Sequence, residues 1–287
     1  MAAYKYALAA ANYPQADAWE IWNEADAPGS NAFSSGNESA DQYTAMMKAA
    51  AIGFHDSPGK PLISDAGTAG QRKPYTDLRA RNDVFSYADI HAFHLYATDD
   101  GSEVPNAWGG IPPHLDLVNT YGRATTKRWI TEGGVKFQVP TPQPMTSKQQ
   151  RAQARGFVVA TLTTLSQCVD KPFAFSLPPL NEGSTFFGLL TRDWAPNAAF
   201  TAESAMTAAL GHAAYVGTLP GLPAGVTAFA FADGDDQVIA LWSENPTDVT
   251  LDLGADKATR TTIVGASTSS PRPTAGTTSR PSPTPRI

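Results

Sequence analysis

Two short runs carry the residues best suited to chemistry. The first is Trp19-Glu20-Ile21-Trp22-Asn23-Glu24, and the second is Thr131-Glu132-Gly133-Gly134, preceded by Arg128-Trp129-Ile130. Each is apolar and aromatic-rich and ends in a carboxylate followed by loop-type residues, as a barrel strand does when it delivers an acid to a rim. Two carboxylates on two strands can share the opening of a glycosidic bond. One attacks the anomeric carbon while the other protonates the leaving oxygen, with the two groups roughly 5–5.5 Å apart. Either glutamate alone reads as an ordinary loop carboxylate. Their weight comes from being an ordered pair. Glu20 and Arg128 each lie four residues before one of the pair and share its inward parity. A buried carboxylate needs a partner, and Arg128 is a candidate for Glu20.

Other candidate chemistry is weaker. His91 and His94 point to opposite faces of one strand, and His55, His114 and His212 are scattered, so we expect no metal site. Cys168 is the sole cysteine, which excludes an internal disulfide; its apolar, helix-like surroundings predict a buried, inert thiol. No serine or cysteine occupies a nucleophile elbow. Gly67-Thr68-Ala69-Gly70 lacks the lysine of a phosphate-binding loop and reads as a strand-to-helix connection. Trp19, Trp22, Trp129 and Trp242 are expected in the core. Trp108, in the loop Pro105–Pro113, is the aromatic expected to stack against a sugar. None of this chemistry requires a cofactor.

The elements that must position these residues follow from pattern. Helix-like stretches near 4–12 (stopped by Asn12 and Pro14), 39–54, 75–87, 114–121, 147–168 and 198–210 alternate with strands near 18–22, 61–64, 89–94, 127–132 and 172–176. Long loops, 25–38 and 65–74 among them, follow the strands. This order predicts a parallel sheet with covering helices and function at the C-terminal strand ends. After Tyr215 the pattern changes to short strands near 226–231, 238–242, 249–253 and 261–264, with the turn Asp233-Gly234-Asp235-Asp236. We therefore divide the chain into a catalytic α/β part (1–212), a small all-β, sandwich-type segment (213–266) and a Ser/Thr/Pro-rich linker or disordered tail (267–287).

Composition narrows the partners. The chain has 287 residues, 42% of them hydrophobic, which is ample for a packed core. A net charge of −6 without a basic stretch speaks against nucleic acid. No window approaches the ~18 apolar residues of a membrane span, and Met1-Ala2-Ala3-Tyr4-Lys5 does not open a signal peptide. Nothing in the sequence addresses oligomeric state.

Trp22-Asn23-Glu24 resembles the Asn-Glu pair of glycoside hydrolase clan A, the retaining (β/α)8 enzymes. Ile130-Thr131-Glu132-Gly133 resembles that clan's nucleophile strand, and Asp89 through Tyr96 its sixth strand. Phe187-Gly188-Leu189-Leu190 with Asp193 and Pro196 resembles the stretch after its eighth strand. The style is that of families 39 and 5, over residues 4–212. The resemblance implies a carbohydrate substrate, β-linked, with Glu24 as acid/base and Glu132 as nucleophile. It also implies that Asn23 bonds the sugar 2-hydroxyl, Tyr96 holds the nucleophile carboxylate and His94 lines the subsite. Gly133 departs from the pattern where many relatives carry an aromatic. So does Phe175-Ser176-Leu177-Pro178, which lacks the usual platform tryptophan.

A complete barrel takes about 250 residues and eight strands. Counting back from Glu132 as strand seven makes this a partial (β/α)8 barrel, strands four to eight with their helices. The expectation is an N-terminally truncated member whose full-length parent is secreted. The competing expectation is a catalytically silent carbohydrate-binding or structural remnant.

Overall fold

The computed structural model describes residues 1–271 apart from 14, 28–38, 71–72, 99, 103, 106–107, 252 and 254–256. Pro14, most of the 25–38 loop, parts of the 65–74 and 105–113 loops, and the tail beyond 271 lie outside the described residues. The chain divides into two compact units.

The first unit comprises Met1–Leu95, Gly109–Gly133 and Gln167–Ala174. Its elements begin with α1 (Ala2–Ala10), β1 (Ala18–Glu20), α2 (Ser39–His55), β2 (Leu62–Ser64) and α3 (Lys73–Arg81). It continues with the first part of β3 (Ile90–Thr98), α4 (Ile111–Tyr121), the first part of β4 (Lys127–Gln138), and β5 (Lys171–Ala174). The strands lie in the order β1-β2-β3-β4, with β5 also on β4. The pairs β1–β2, β2–β3 and β4–β5 are parallel. Parallel strands covered by helices read as near-continuous apolar runs, and Ile90 to His94 is buried throughout. The stripe Tyr43, Met47, Ala50 and Phe54 on α2 packs with Ile63, Phe85 and Val118, each large side chain contributing about 1.5–3 kcal/mol. Pro112 and Pro113 open α4, and Gly122 closes it.

The second unit comprises Tyr96–Trp108, Gly134–Ser166 and Phe175–Ile287. It contains α5 (Ser147–Ser166), the short strands β6 (Asn181–Glu182) and β7 (Thr185–Phe186), and α6 (Ala198–Leu210). Asn197 caps α6 by accepting the Ala199 and Phe200 N–H groups. Three antiparallel strands follow, β8 (Ala214–Thr218), β9 (Val226–Asp233) and β10 (Asp236–Ser243). Gly234, at φ 59°, provides the left-handed turn between the last two. Phe157, Val158, Leu162, Met206, Phe229 and Phe231 share one apolar core.

Several expectations are revised. The β4 strand runs on to Gln138 instead of ending at Glu132, because Phe137 and Gln138 pair with Phe186 and Thr185 of β7. Gly134 allows this at φ 152°, where a Cβ would come 2.4 Å from the Phe157 ring. Residues 249–253 form no strand among those described. Instead β11 (Lys257–Thr261) pairs with β12 (Ser267–Pro271), which reads as tail in the sequence. Hydroxyl pairs Thr259–Ser269 and Thr261–Ser267 join these polar strands. Cys168 is exposed in a left-handed turn after α5, not buried in the helix.

Candidate active site

The carboxylates come from the first unit, Glu24 from the segment after β1 and Glu132 from within β4. After β1 the backbone bends sharply, with Trp22 at φ 78° and Glu24 at φ 45°, both in the region that favours glycine. Such strain persists only where surroundings over-determine it. Here Asn23 bridges to Gly67, and the Glu24 N–H donates to the Gly67 carbonyl at 2.9 Å. Glu132 projects from the middle of β4, beside the closely packed Gly133, whose added Cβ would lie 3.1 Å from the Leu95 carbonyl. A larger residue there would require the Ile130 side chain and the Leu95 backbone to give by a few tenths of an ångström.

Buried His94 joins the pair. Its Nδ1 lies 2.9 Å from Glu24 Oε1 and 3.4 Å from Glu132 Oε2. The three ligand-type atoms all fall within 4.8 Å of one another, close enough to share a proton or to hold a small cation. His94 Nε2 is buried without a hydrogen-bond partner among the described residues. With a proton on Nδ1 the ring donates toward the carboxylates.

Glu20 lies deeper. Its Oε1 accepts the Gly67 N–H at 2.6 Å and the Thr131 hydroxyl at 3.3 Å. The residue as a whole is exposed, although its carboxyl is partly desolvated. That desolvation raises its proton affinity above the ordinary range, against the lowering effects of the Gly67 N–H and His94. Arg128 is not its partner: the Arg128 guanidinium instead donates to the Asn119 side chain at 3.1 Å. A β-bulge between Ile130 and Gly133 breaks the simple parity that aligned the two.

The remaining expected residues are placed as follows. Asn23 is exposed beside Glu24. Trp22 is 49% exposed rather than core, while Trp19 stacks on Phe54. Tyr96 belongs to the second unit, where its ring meets Phe175 and Phe187 edge-on and Lys136 lies over its face. The backbone of Trp108 forms a 3₁₀ turn with Gly109 and Gly110, and its side chain lies outside what is described. His91 and His94 do diverge, as strand alternation requires: His91 faces Asp65 and His114 instead.

That second cluster is what sequence reasoning missed. Asp65, Arg79, His91 and His114 are buried together. Asp65 meets His91 Nδ1 at 3.0 Å and Arg79 Nη2 at 3.3 Å, and His91 Nε2 meets His114 Nδ1 at 3.1 Å. Burial and the neighbouring His91 and Arg79 hold His114 down to about 2, so it is neutral. The available signal was a carboxylate directly after a strand and an arginine on the following helix.

No family model matches the chain, and no curated protein matches it in sequence. Solved structures do. A family 39 glycoside hydrolase from the gut symbiont Bacteroides cellulosilyticus WH2 superposes with a TM-score of 0.71, at 15% identity over 99% of this chain and 60% of that one. A family 30 endoxylanase from Clostridium papyrosolvens C71 gives 0.66, at 12% identity over 99% and 70%. A family 51 α-L-arabinofuranosidase from Bifidobacterium longum gives 0.62, at 15% identity over 93% and 65%. The chain thus has the α/β fold of the clan A glycoside hydrolases, and the likeness is one of fold. It spans about 60% of the length of the family 39 structure.

Proposed function

We propose that this chain hydrolyses β-linked oligo- or polysaccharides by double displacement with retention, Glu24 acting as acid/base and Glu132 as nucleophile. One observation carries the reading: carboxylate oxygens of Glu24 and Glu132 lie within 4.8 Å of each other, across His94 Nδ1. Retaining enzymes hold their carboxyl groups roughly 5–5.5 Å apart, whereas inverting ones leave about 6.5–9.5 Å for a water.

In this reading Glu132 attacks the anomeric carbon while Glu24 protonates the departing oxygen, giving a glycosyl–Glu132 ester. Glu24, now ionised, takes a proton from water, which attacks the same carbon and releases Glu132. His94 orients both carboxylates through Nδ1. Asn23, beside Glu24, is assigned the 2-hydroxyl of the sugar, and Tyr96 and Trp108 are kept as substrate-binding residues on the resemblance alone. The structurally similar proteins include an endoxylanase, an α-L-arabinofuranosidase and a β-porphyranase. All three are glycoside hydrolases, and they differ in the sugar named. The division at 213–266 and secretion belong to the same reading.

The test is intact mass after incubation with activated 2-deoxy-2-fluoro β-glycosides, then peptide mapping. A single adduct on the peptide holding Glu132 is expected. A folded chain that takes no label and turns over no aryl β-glycoside would instead be a silent, sugar-binding remnant.

A further inference from the structure

Glu24 and His94 are both held by one short stretch of backbone, Ala66–Thr68. The Gly67 carbonyl accepts the Glu24 N–H at 2.9 Å, the Gly67 N–H donates to Glu20 at 2.6 Å, and the Thr68 carbonyl accepts the His94 N–H at 3.0 Å. Contact with the His94 ring is close enough that a Cβ on Gly67 would sit 2.1 Å from Nε2. Displacing this backbone by a few tenths of an ångström must therefore move either the ring or the Glu24 main chain.

What fixes the stretch is charge buried on its inner side. Asp65 Oδ1 accepts the Ala92 N–H at 2.7 Å, which ties the end of β2 to β3. Its Oδ2 meets His91 and Arg79. Arg79 Nη1 reaches back to the Ala66 carbonyl at 3.4 Å, and its guanidinium lies 5.9 Å from the rings of both Tyr43 and Tyr75. The Tyr43 hydroxyl accepts the Ala66 N–H at 2.5 Å and donates to the Ile21 carbonyl at 3.2 Å. Burial alone would raise the Asp65 carboxyl, but His91 and Arg79 outweigh it and hold it below the usual range. A buried ion pair is a poor source of net stability compared with apolar packing of similar volume. Its value lies in fixing geometry, as the support behind a catalytic group does.

We propose that Asp65 and Arg79 are positioning residues: they set the Ala66–Thr68 backbone, and through it the placement of Glu24 and His94. The kinetic consequence rests on the acid/base reading of Glu24, while the geometric one does not.

Two variants test this, Asp65→Asn and Arg79→Lys. The second keeps the cation beside Asp65 but withdraws the arm on the Ala66 carbonyl, so it carries the test if the first fails to fold. The geometric readout is the ¹H–¹⁵N spectrum of the imidazoles at neutral pH. Signals lost in His94→Gln should move in both variants, while those of exposed His212 stay. The kinetic readout is kcat/KM for aryl β-glycosides of differing leaving group. A displaced acid should cost about tenfold or more with poor leaving groups and much less with 2,4-dinitrophenolate, which departs without a proton. Unmoved His94 signals in folded Arg79→Lys overturn the proposal, as does a loss of kcat/KM equal for all leaving groups. Should the wild-type protein turn over no aryl glycoside, the catalytic reading fails and the spectra alone decide the positioning.

Discussion

Both units of this protein bury an apolar core, but they differ in how much linked charge they bury beside it. In the first, the space beneath the carboxylates holds Asp65, Arg79, His91 and His114, with Asp26 accepting from Ala69 and Gly70 nearby. In the second, the interior is dominated by Phe157, Val158, Leu162, Met206, Phe229 and Phe231, with Gln153, Arg155 and Asn197 buried among the polar residues and Asn197 donating to Gln153. Apolar packing supplies stability without direction, whereas hydrogen-bonded charge fixes particular atoms at a cost in desolvation. A unit that must hold two carboxylates and an imidazole together needs the second kind. One that only has to fold can rely on the first.

The largest effect should come from breaking the chemistry. Glu132→Gln is expected to lower kcat roughly 10³-fold or more, and Glu24→Gln roughly 10²–10⁴-fold with poor leaving groups. Neither should lower the free energy of unfolding, because both side chains are partly exposed and neither belongs to an apolar core. Steady-state kinetics beside chemical denaturation would show both. A loss of stability equal to a core mutation would put these residues on the structural side of the contrast.

The reverse pattern is expected in the second unit. Phe231→Ala should cost about 3–5 kcal/mol, since the ring is fully buried among Phe229, Tyr215 and the helix residues. Activity per folded molecule should be unchanged. Asn197→Ala comes next, at about 1–2 kcal/mol, because one side chain both caps α6 and donates to the Gly188 carbonyl and Gln153. Denaturant titrations give both values. If either variant slows turnover of the molecules that remain folded, the division of labour drawn above is wrong.

How legible these regions were follows the same contrast. Apolar period placed α2, α4, α5 and α6 and the starts of the parallel strands within a few residues, because burial of a stripe is written locally, but it stopped β3 and β4 short. Glu24 and Glu132 stood out because a carboxylate following an aromatic-rich apolar run is also a local signal, although β4 continues past Glu132. Asp65 with His91 was not legible, since their meeting depends on the β2–β3 register over 26 residues. The false pairing of Glu20 with Arg128 has a similar origin, as parity counting assumes an unbroken ladder and β4 carries a bulge. The β11–β12 ribbon was missed because its strands are polar on both faces, so no alternation marks them.

The smallest effect tests whether a charge buried without a partner is tolerated outside the site. Glu203, on α6, has a carboxyl oxygen shielded from solvent with no hydrogen-bond partner among the described residues. Burial pushes it up to about 7. Its proton affinity is therefore higher in the folded than in the unfolded chain, so between about pH 4.5 and 7 the unfolded state has already released the proton that the folded state keeps. Stability from this residue is complete below that window and is lost as the pH rises through it. Glu203→Gln removes the titrating group and should stabilise the protein above pH 7, with no gain below pH 4. Part of the residue still touches water, so the gain should be about 1–2 kcal/mol, short of the full linkage value. Unfolding free energies of both proteins across pH 4–8 would show it. Parallel curves would mean that Glu203 is solvated and that the second unit buries no free charge there. Converging curves at low pH would show that the unit carries this charge at a cost, whereas the site's charges are paired.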